Sequence, residues 1–353
     1  MLKRNNLNTV RLALAAVVLV FHVLLLPNIP MLTGAADHLP ALLGVQGFFV
    51  VSGILVTMSY EATDSLWGYF RRRARRILPA YFCVVLTSAI LLSALSTLSL
   101  ADYFGSVAFW RYLAANLAFM NFAEPSLPGV FLGNYKSAVD GSLWTIKIEI
   151  AFYCMVPFIF WMMRRWGRWQ VLGTLFLLST AWRVGFEYLG QRIGVPFYEK
   201  LAIQAPGQLA FFIIGALIYY LIREGDSRPK LWMAVVGIAS YVLAQGMLFL
   251  LIAPLAVGLF IYWAGFGVKG VPDLGVRGDF SYGLYLYHWP VIQVLIALGL
   301  FAFSPLLGIV VAVVLACIAA LGSWFLVEKR FLHAPARPRP SPLRAGGSER
   351  VGS

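Results

Sequence analysis

Two ionisable side chains, Arg11 and His22, interrupt the first apolar stretch of the chain, Leu7 to Pro27. Their spacing of eleven residues is three helical turns plus about 20°. Both therefore leave one face of a helix, roughly 16 Å apart along its axis. Charged groups at membrane depth are expensive, usually face a bundle interior or wet cavity, and default to a functional role. An imidazole that titrates near neutrality suits general-base chemistry. A plainer reading stays open, in which Arg11 snorkels to the interface as an anchor and His22 is a satisfied interior histidine.

Glu149 and Lys147 stand two residues apart in another apolar stretch. Helical neighbours are three or four apart, so these two diverge and Glu149 needs another partner. His22 or Arg183 is expected at its depth, and a carboxylate beside an imidazole would orient it. Arg183 and Glu187, four apart, could instead pair with each other. Five arginines in six positions, Arg71 to Arg76, exceed what orientation requires. Arginine forks suit phosphate, so a nucleotide-bearing anion competes here with a stop-transfer anchor or a headgroup contact. Ser281, Tyr285 and His288 share one helical face, and Pro290 frees the carbonyl of Leu286; a cavity-lining patch and a satisfied polar patch are both open. Gly47 and Gly53 permit close packing around Ser52, which can bond to its own helix. Glu328 could neutralise one arginine.

These residues must be positioned by membrane-spanning helices. The chain has 353 residues, 60% hydrophobic and 12% charged, with a mean hydropathy of +0.79; a soluble domain carries roughly twice that charged fraction. Apolar runs long enough to span a bilayer fall near 7–27, 41–60, 77–98, 142–163, 169–188, 206–222, 231–247, 249–265, 280–300 and 305–327. The pair over 231–265 is joined by little more than Gln245-Gly246. The first run is read as a retained span, because Pro27-Asn28-Ile29-Pro30 follows it rather than a small-residue cleavage site. Ten spans place both termini in the cytoplasm. All but six of the 28 Lys and Arg then lie on the cytoplasmic side; Arg111, Lys136, Arg192 and Lys200 fall outside, and Lys147 and Arg183 within spans. The net charge of +13 thus reports topology rather than nucleic-acid binding. Residues 99–141 form an aromatic-rich outer loop that lies in the interface or re-enters the bundle. Residues 1–332 are expected to be the transmembrane domain and 333–353 a disordered basic cytoplasmic tail. Cys83, Cys154 and Cys317 have no metal or disulfide spacing and are expected to pack in the core. No metal site is expected.

Taken in order, these segments resemble the membrane-bound acyltransferase family 3, bacterial enzymes that O-acylate surface glycans. The resemblance rests on Arg11-x10-His22, Phe48-Phe49-x-x-Ser52-Gly53 and Arg73-x-x-Arg76-Ile77-x-Pro79. It continues in Ser142-Leu143-Trp144-x4-Glu149-x-x-Phe152-Tyr153, in Ser281-Tyr282-x-x-Tyr285-Leu286-x-His288-x-Pro290, and in Val327-Glu328-Lys329. Lys147 departs from the small or apolar residue usual there and is compatible with an acidic acceptor. The soluble esterase-like domain fused to some members is not expected, so direct transfer by the membrane domain is implied.

The resemblance implies acyl-coenzyme A, by default acetyl-coenzyme A, as donor. It implies a carbohydrate or lipid-linked glycan hydroxyl, in O-antigen, exopolysaccharide or a related glycoconjugate, as acceptor. It also implies a bacterial inner membrane location. Coenzyme A phosphates are expected on Arg72, Arg73, Arg76 and Arg11, with Ser52 lining the donor or only packing, since no base is foreseen beside it. His22 is expected as general base, with an acyl-histidine as alternative; Glu149 orients it or binds acceptor hydroxyls. Trp144, Tyr153, Tyr285 and His288 are expected on the acceptor. A transporter of an anionic solute through a His/Glu/Arg relay, and a purely structural subunit, are the competing readings.

Overall fold

The structure is a computed structural model that describes residues 5–39, 41–225, 228–272, 274 and 278–332. The expected tail, 333–353, lies outside the described residues. Each expected span falls on a helix: α1 (Leu7–Leu25), α2 (Ala41–Glu61), α3 (Leu66–Leu91), α4 (Trp144–Trp166), α5 (Arg168–Ile193), α6 (Ala205–Glu224), α7 (Leu231–Leu243), α8 (Gly246–Phe266), α9 (Ser281–Ala297) and α10 (Pro305–Ser323). There is no strand among the described residues. Seven of these helices, α1–α4, α6, α8 and α10, are long and apolar enough to cross a membrane by length and composition. α5 has the length but carries Arg168, Arg183, Glu187 and Arg192, and α7 and α9 have 13 and 17 residues. The molecule is a polytopic helical membrane protein.

One boundary differs from expectation in a way that bears on the site. α3 begins at Leu66, eleven residues before the expected span, so Arg71–Arg76 are part of the helix rather than ahead of it. Ser65 starts it by accepting from the Gly68 amide at 3.1 Å, the ordinary N-cap arrangement. Charge hides such a turn from a hydropathy window, although arginine is a good helix former. Single residues separate other helices. Gly167, at φ +89°, is the whole connection between α4 and α5, a conformation that side-chain-bearing residues avoid.

α2 is the central helix, packing on α1, α4, α6 and α8, and most extensively on α6. Gly53 and Gly215 meet there: a Cβ on either would run into the backbone of the other helix. Lipid is as apolar as leucine, so such close packing and interhelical hydrogen bonds, not apolar burial, hold a membrane bundle. Many large apolar residues, such as Leu177, Leu178 and Val242, accordingly remain on the outside. Cys154 and Cys317 are also exposed and Cys83 is only half-buried, which corrects the expectation that the cysteines pack in the core.

The long loop before α4 folds back on the bundle. Helices Leu100–Gly105 and Val107–Leu117 bury Tyr103, Phe109 and Tyr112. The strip that follows is tied to α9: Gln293 Nε2 donates to the carbonyls of Lys136 at 2.6 Å and Ala138 at 2.8 Å, and Trp289 Nε1 donates to Ala138 at 3.2 Å. The start of α4 is thereby covered, with Ser142 and Leu143 buried.

Candidate active site

α1, α2, α3, α4 and α9 enclose a cavity of about 710 Å³. Its lining on α2 runs from Val45 to Ser59, about 21 Å of helix at the usual rise. One end carries Arg11, Arg72, Arg73, Arg75 and Arg76, five guanidiniums against the carboxylates of Glu149 and Asp279. The excess positive charge suits an anion.

Not all of these arginines are equally available. Asp279 Oδ2 accepts from both Arg11 and Arg76, the latter at 2.5 Å. Glu328 lies 3.6 Å from Arg76 and accepts from Ser323 Oγ at 3.0 Å, so its expected role of neutralising an arginine is met. Asp279 lies two residues ahead of the motif that starts at Ser281 and is not among the residues the sequence singles out. Its signal was an aspartate just ahead of a helix start, where it accepts from Ser281 Oγ at 2.5 Å. Arg73 is different. Its Nη2 donates to Ser59 Oγ at 3.0 Å and its guanidinium lies 5.6 Å from the Tyr153 ring centre. Its buried Nε has no protein partner. A buried donor of this kind is costly unless something accepts from it. Arg72 donates to the Ser59 carbonyl at 3.4 Å.

Deeper in the cavity, Glu149 Oε1 accepts from Ser52 Oγ at 3.2 Å and from Tyr153 Oη at 2.5 Å. Two expectations are corrected. Ser52 does have a carboxylate beside it, and it bonds to that rather than to its own helix. Glu149 contacts neither His22 nor Arg183. Arg183 is buried elsewhere, donating to Gln208 Oε1 at 3.1 Å and forming no ion pair with Glu187. The helix register explains the separation. α1 and α2 are antiparallel, with Leu14 opposite Gly47 and Val18 near Gly44. Ser52 is therefore level with the Arg11 end of α1, and His22 lies roughly 18 to 20 Å farther along. The expected catalytic trio divides: Arg11 and Glu149 line the cavity, and His22 does not.

Thr145, Phe48 and Tyr285 also line the cavity, with Tyr285 Oη 2.7 Å from Thr145 Oγ1 and its ring 5.7 Å from that of Phe48. Behind Tyr285, at 5.8 Å between ring centres, is His288, which is fully buried. His22 Nδ1 lies 2.8 Å from His288 Nε2, and His288 Nδ1 lies 3.1 Å from the Leu284 carbonyl. Trp289 and Phe21 flank the His22 ring edge-on at 4.7 and 5.3 Å. His288, expected on the acceptor, has both ring nitrogens engaged by protein. Trp144 is partly buried against the core, and Lys147 stands over the Phe122 ring of the loop before α4 at 4.3 Å. Beside this site Asp140 is buried, with Oδ1 accepting from Ser142 Oγ at 2.6 Å and Oδ2 unpartnered. Burial pushes its carboxyl up to about 7 against the lowering effect of the Ser142 bonds.

The family model described as acyltransferase domain matches residues 4–328. Nodulation protein 10 of Rhizobium leguminosarum bv. viciae is 30% identical, over 92% of this chain and 92% of its own length. The O-acetyl transferase of Shigella phage Sf6 is 28% identical, over 94% and 96%. O-acetyltransferase OatA of Staphylococcus aureus (strain NCTC 8325 / PS 47) is 23% identical over 84% of this chain, which spans 53% of that protein. No solved structure matches the chain. A match across nearly every described helix places this chain in acyltransferase family 3.

Proposed function

We propose that this protein is an O-acyltransferase that moves an acyl group, acetyl by default, from acyl-coenzyme A to a hydroxyl of a carbohydrate or lipid-linked glycan. The observation that carries the reading is the cavity: arginine-rich at one end, largely apolar along α2, and reaching Tyr285 in front of a histidine pair. Two relatives bear O-acetyltransferase names, which supports acetyl transfer to oxygen. The arginine end is assigned to the cytoplasm, with ten crossings of a bacterial inner membrane and both termini inside.

In this reading Arg72, Arg73 and Arg76 hold the donor phosphates, and the unpartnered Arg73 Nε marks where an acceptor oxygen is wanted. Arg11 serves through the ion cluster with Asp279. The uncharged pantetheine arm runs along α2, past the Ser52–Glu149–Tyr153 group, which offers hydrogen bonds to its amides. His22 removes the proton from the acceptor hydroxyl. The oxygen then bonds to the thioester carbonyl carbon and the carbon–sulfur bond breaks. The thiolate leaves and takes a proton, so the products are an ester and free thiol. Because Tyr285, Thr145 and Phe48 stand between the cavity and the histidines, transfer requires these side chains to move aside. Trp144 and Lys147 lie on the side from which the acceptor would approach.

The test is mass spectrometry of envelope glycans from cells carrying wild type, His22→Ala or no copy. An acyl mass increment present only with wild type, at equal protein level, is expected. A His22→Ala strain that still acylates its glycans would refute the assignment of the base. No increment in any strain, with transport of an anion by the wild type, would refute the reaction class.

A further inference from the structure

The geometry points to His288 as a positioning residue that fixes the tautomer of His22, so that His22 Nε2 is the nitrogen left bare to take the acceptor proton. This deepens the proposed function and rests on its assignment of His22 as base.

The Leu284 carbonyl oxygen can only accept, so His288 Nδ1, 3.1 Å away, carries a hydrogen and donates. The same carbonyl retains a second lone pair for the helix. A neutral His288 then has a bare Nε2, and that nitrogen lies 2.8 Å from His22 Nδ1. Two bare nitrogens at that distance would repel, so His22 Nδ1 is the donor. A neutral imidazole carries one N–H only. His22 Nε2 is therefore unprotonated.

The surroundings hold this arrangement. The two imidazole planes are only 19° apart, which with a 2.8 Å nitrogen–nitrogen distance places the hydrogen between rings that meet end to end. His288 is fully buried on α9. Ring flipping of His22 is opposed by the edges of Trp289 and Phe21, and Trp289 is itself anchored to the Ala138 carbonyl. The arrangement does what the carboxylate does for the histidine of a Ser-His-Asp triad, with a neutral acceptor in its place. When His22 gains a proton at Nε2, its Nδ1–H bond to His288 becomes charge-assisted and strengthens.

The test has a spectroscopic arm and a kinetic arm, both on the full chain in lipid nanodiscs. Nitrogen NMR of histidine-labelled protein, with the His22 signals assigned by difference against His22→Gln, is expected to show Nδ1 protonated and Nε2 bare. That is the minority tautomer of free histidine. In His288→Phe, which keeps a ring but removes the acceptor, His22 is expected to revert to the Nε2–H form. Its kcat should fall about 100-fold or more with KM for acyl-coenzyme A unchanged. His288→Gln places an amide oxygen at similar reach and should recover at least a tenth of the wild-type kcat. An Nε2–H form of His22 in the wild type overturns the inference, as does a folded His288→Phe with wild-type kcat. An active His22→Ala would instead sink the base assignment, leaving the tautomer measurement to decide the geometry by itself.

Discussion

The ion cluster at the arginine end makes a prediction that separates its structural role from its ligand role. In Asp279→Ala, Arg11 and Arg76 lose the carboxylate oxygen they share. Removing one partner of a buried ion pair typically costs about 3–5 kcal/mol. Two features reduce this. The side chains of Arg11, Arg76 and Asp279 are each 15% exposed, and Glu328 stays 3.6 Å from Arg76. A loss of about 2–3 kcal/mol is the expected result. Asp279→Asn keeps an acceptor oxygen but not the charge, and should fall between wild type and Ala.

The same change uncovers two guanidiniums at the mouth of the cavity. If coenzyme A places phosphate there, ligand should stabilise Asp279→Ala more than it stabilises wild type. Saturation at 100 times Kd contributes about 2.7 kcal/mol, enough to offset most of the loss. Thermal unfolding in detergent with and without coenzyme A measures both effects. An Asp279→Ala protein that unfolds at the wild-type temperature would refute the cluster as a stabilising element. Equal shifts from coenzyme A in both proteins would refute phosphate contact with Arg11 and Arg76.

Further tests address other parts of the site. Arg73→Gln should raise KM for acyl-coenzyme A by roughly 10- to 100-fold with little change in kcat, since charge-assisted bonds contribute about 1.5–3 kcal/mol; Arg73→Lys should rescue it poorly because the unpartnered Nε is lost. Glu149→Gln should impair donor binding more than acceptor binding, read as a KM effect on acyl-coenzyme A alone. Asp140 has a folded-state value near 7, above the ordinary carboxylate value of about 3.9. Its contribution to stability is therefore full below about pH 4 and is lost as pH rises through about 7. Asp140→Asn should gain on wild type by a few kcal/mol between pH 5 and pH 8, seen as converging and then crossing melting curves. Gly53→Val should abolish a monodisperse peak on size-exclusion chromatography, because its Cβ falls on the α6 backbone.

The helices were legible because hydropathy depends on one residue after another, and each apolar run became a helix. The chemistry-bearing residues were legible as types: Arg11, His22, Ser52, Glu149 and His288 all lie at one of two polar stations. Their partnerships were not. Depth was counted from the expected ends of each span, and for α4 that count misleads. Ser142 and Leu143 are buried under the loop pinned to Gln293 and Trp289, so Glu149 lies farther from the outer surface than its distance from the helix start suggests. The approach of α9 to α1 brings His288 to His22, and no local pattern in either helix encodes that crossing. The expected span at 77–98 leaves out Arg71–Arg76 for the opposite reason: a solvated charge run and a helix are compatible, and a window tuned to apolar residues sees only the charge.

The division into two stations follows from what a bilayer admits. In the proposed reading a nucleotide's phosphates, which cannot be carried to mid-membrane without paired charge around them, belong at the arginine end, where Arg72, Arg73 and Arg75 line the cavity. A pantetheine arm and an acyl group carry no net charge, and the lining between the stations suits them: Val45, Phe48, Val51 and Leu55 are apolar, and Thr145 is neutral. The proposed base, by contrast, would meet a hydroxyl that arrives from the other surface. His22 stands roughly 18 to 20 Å beyond the level of Ser52, bonded to a second imidazole rather than to a charged group. Charge is thus concentrated at the arginines and Glu149, and the lining beyond them toward Tyr285 is neutral. Tyr285 stands between the cavity and His288, and in the proposed reading it separates the donor from the base. If the cavity holds the proposed thioester, this ring would shield it from water on the histidine side and so oppose hydrolysis until the ring moves.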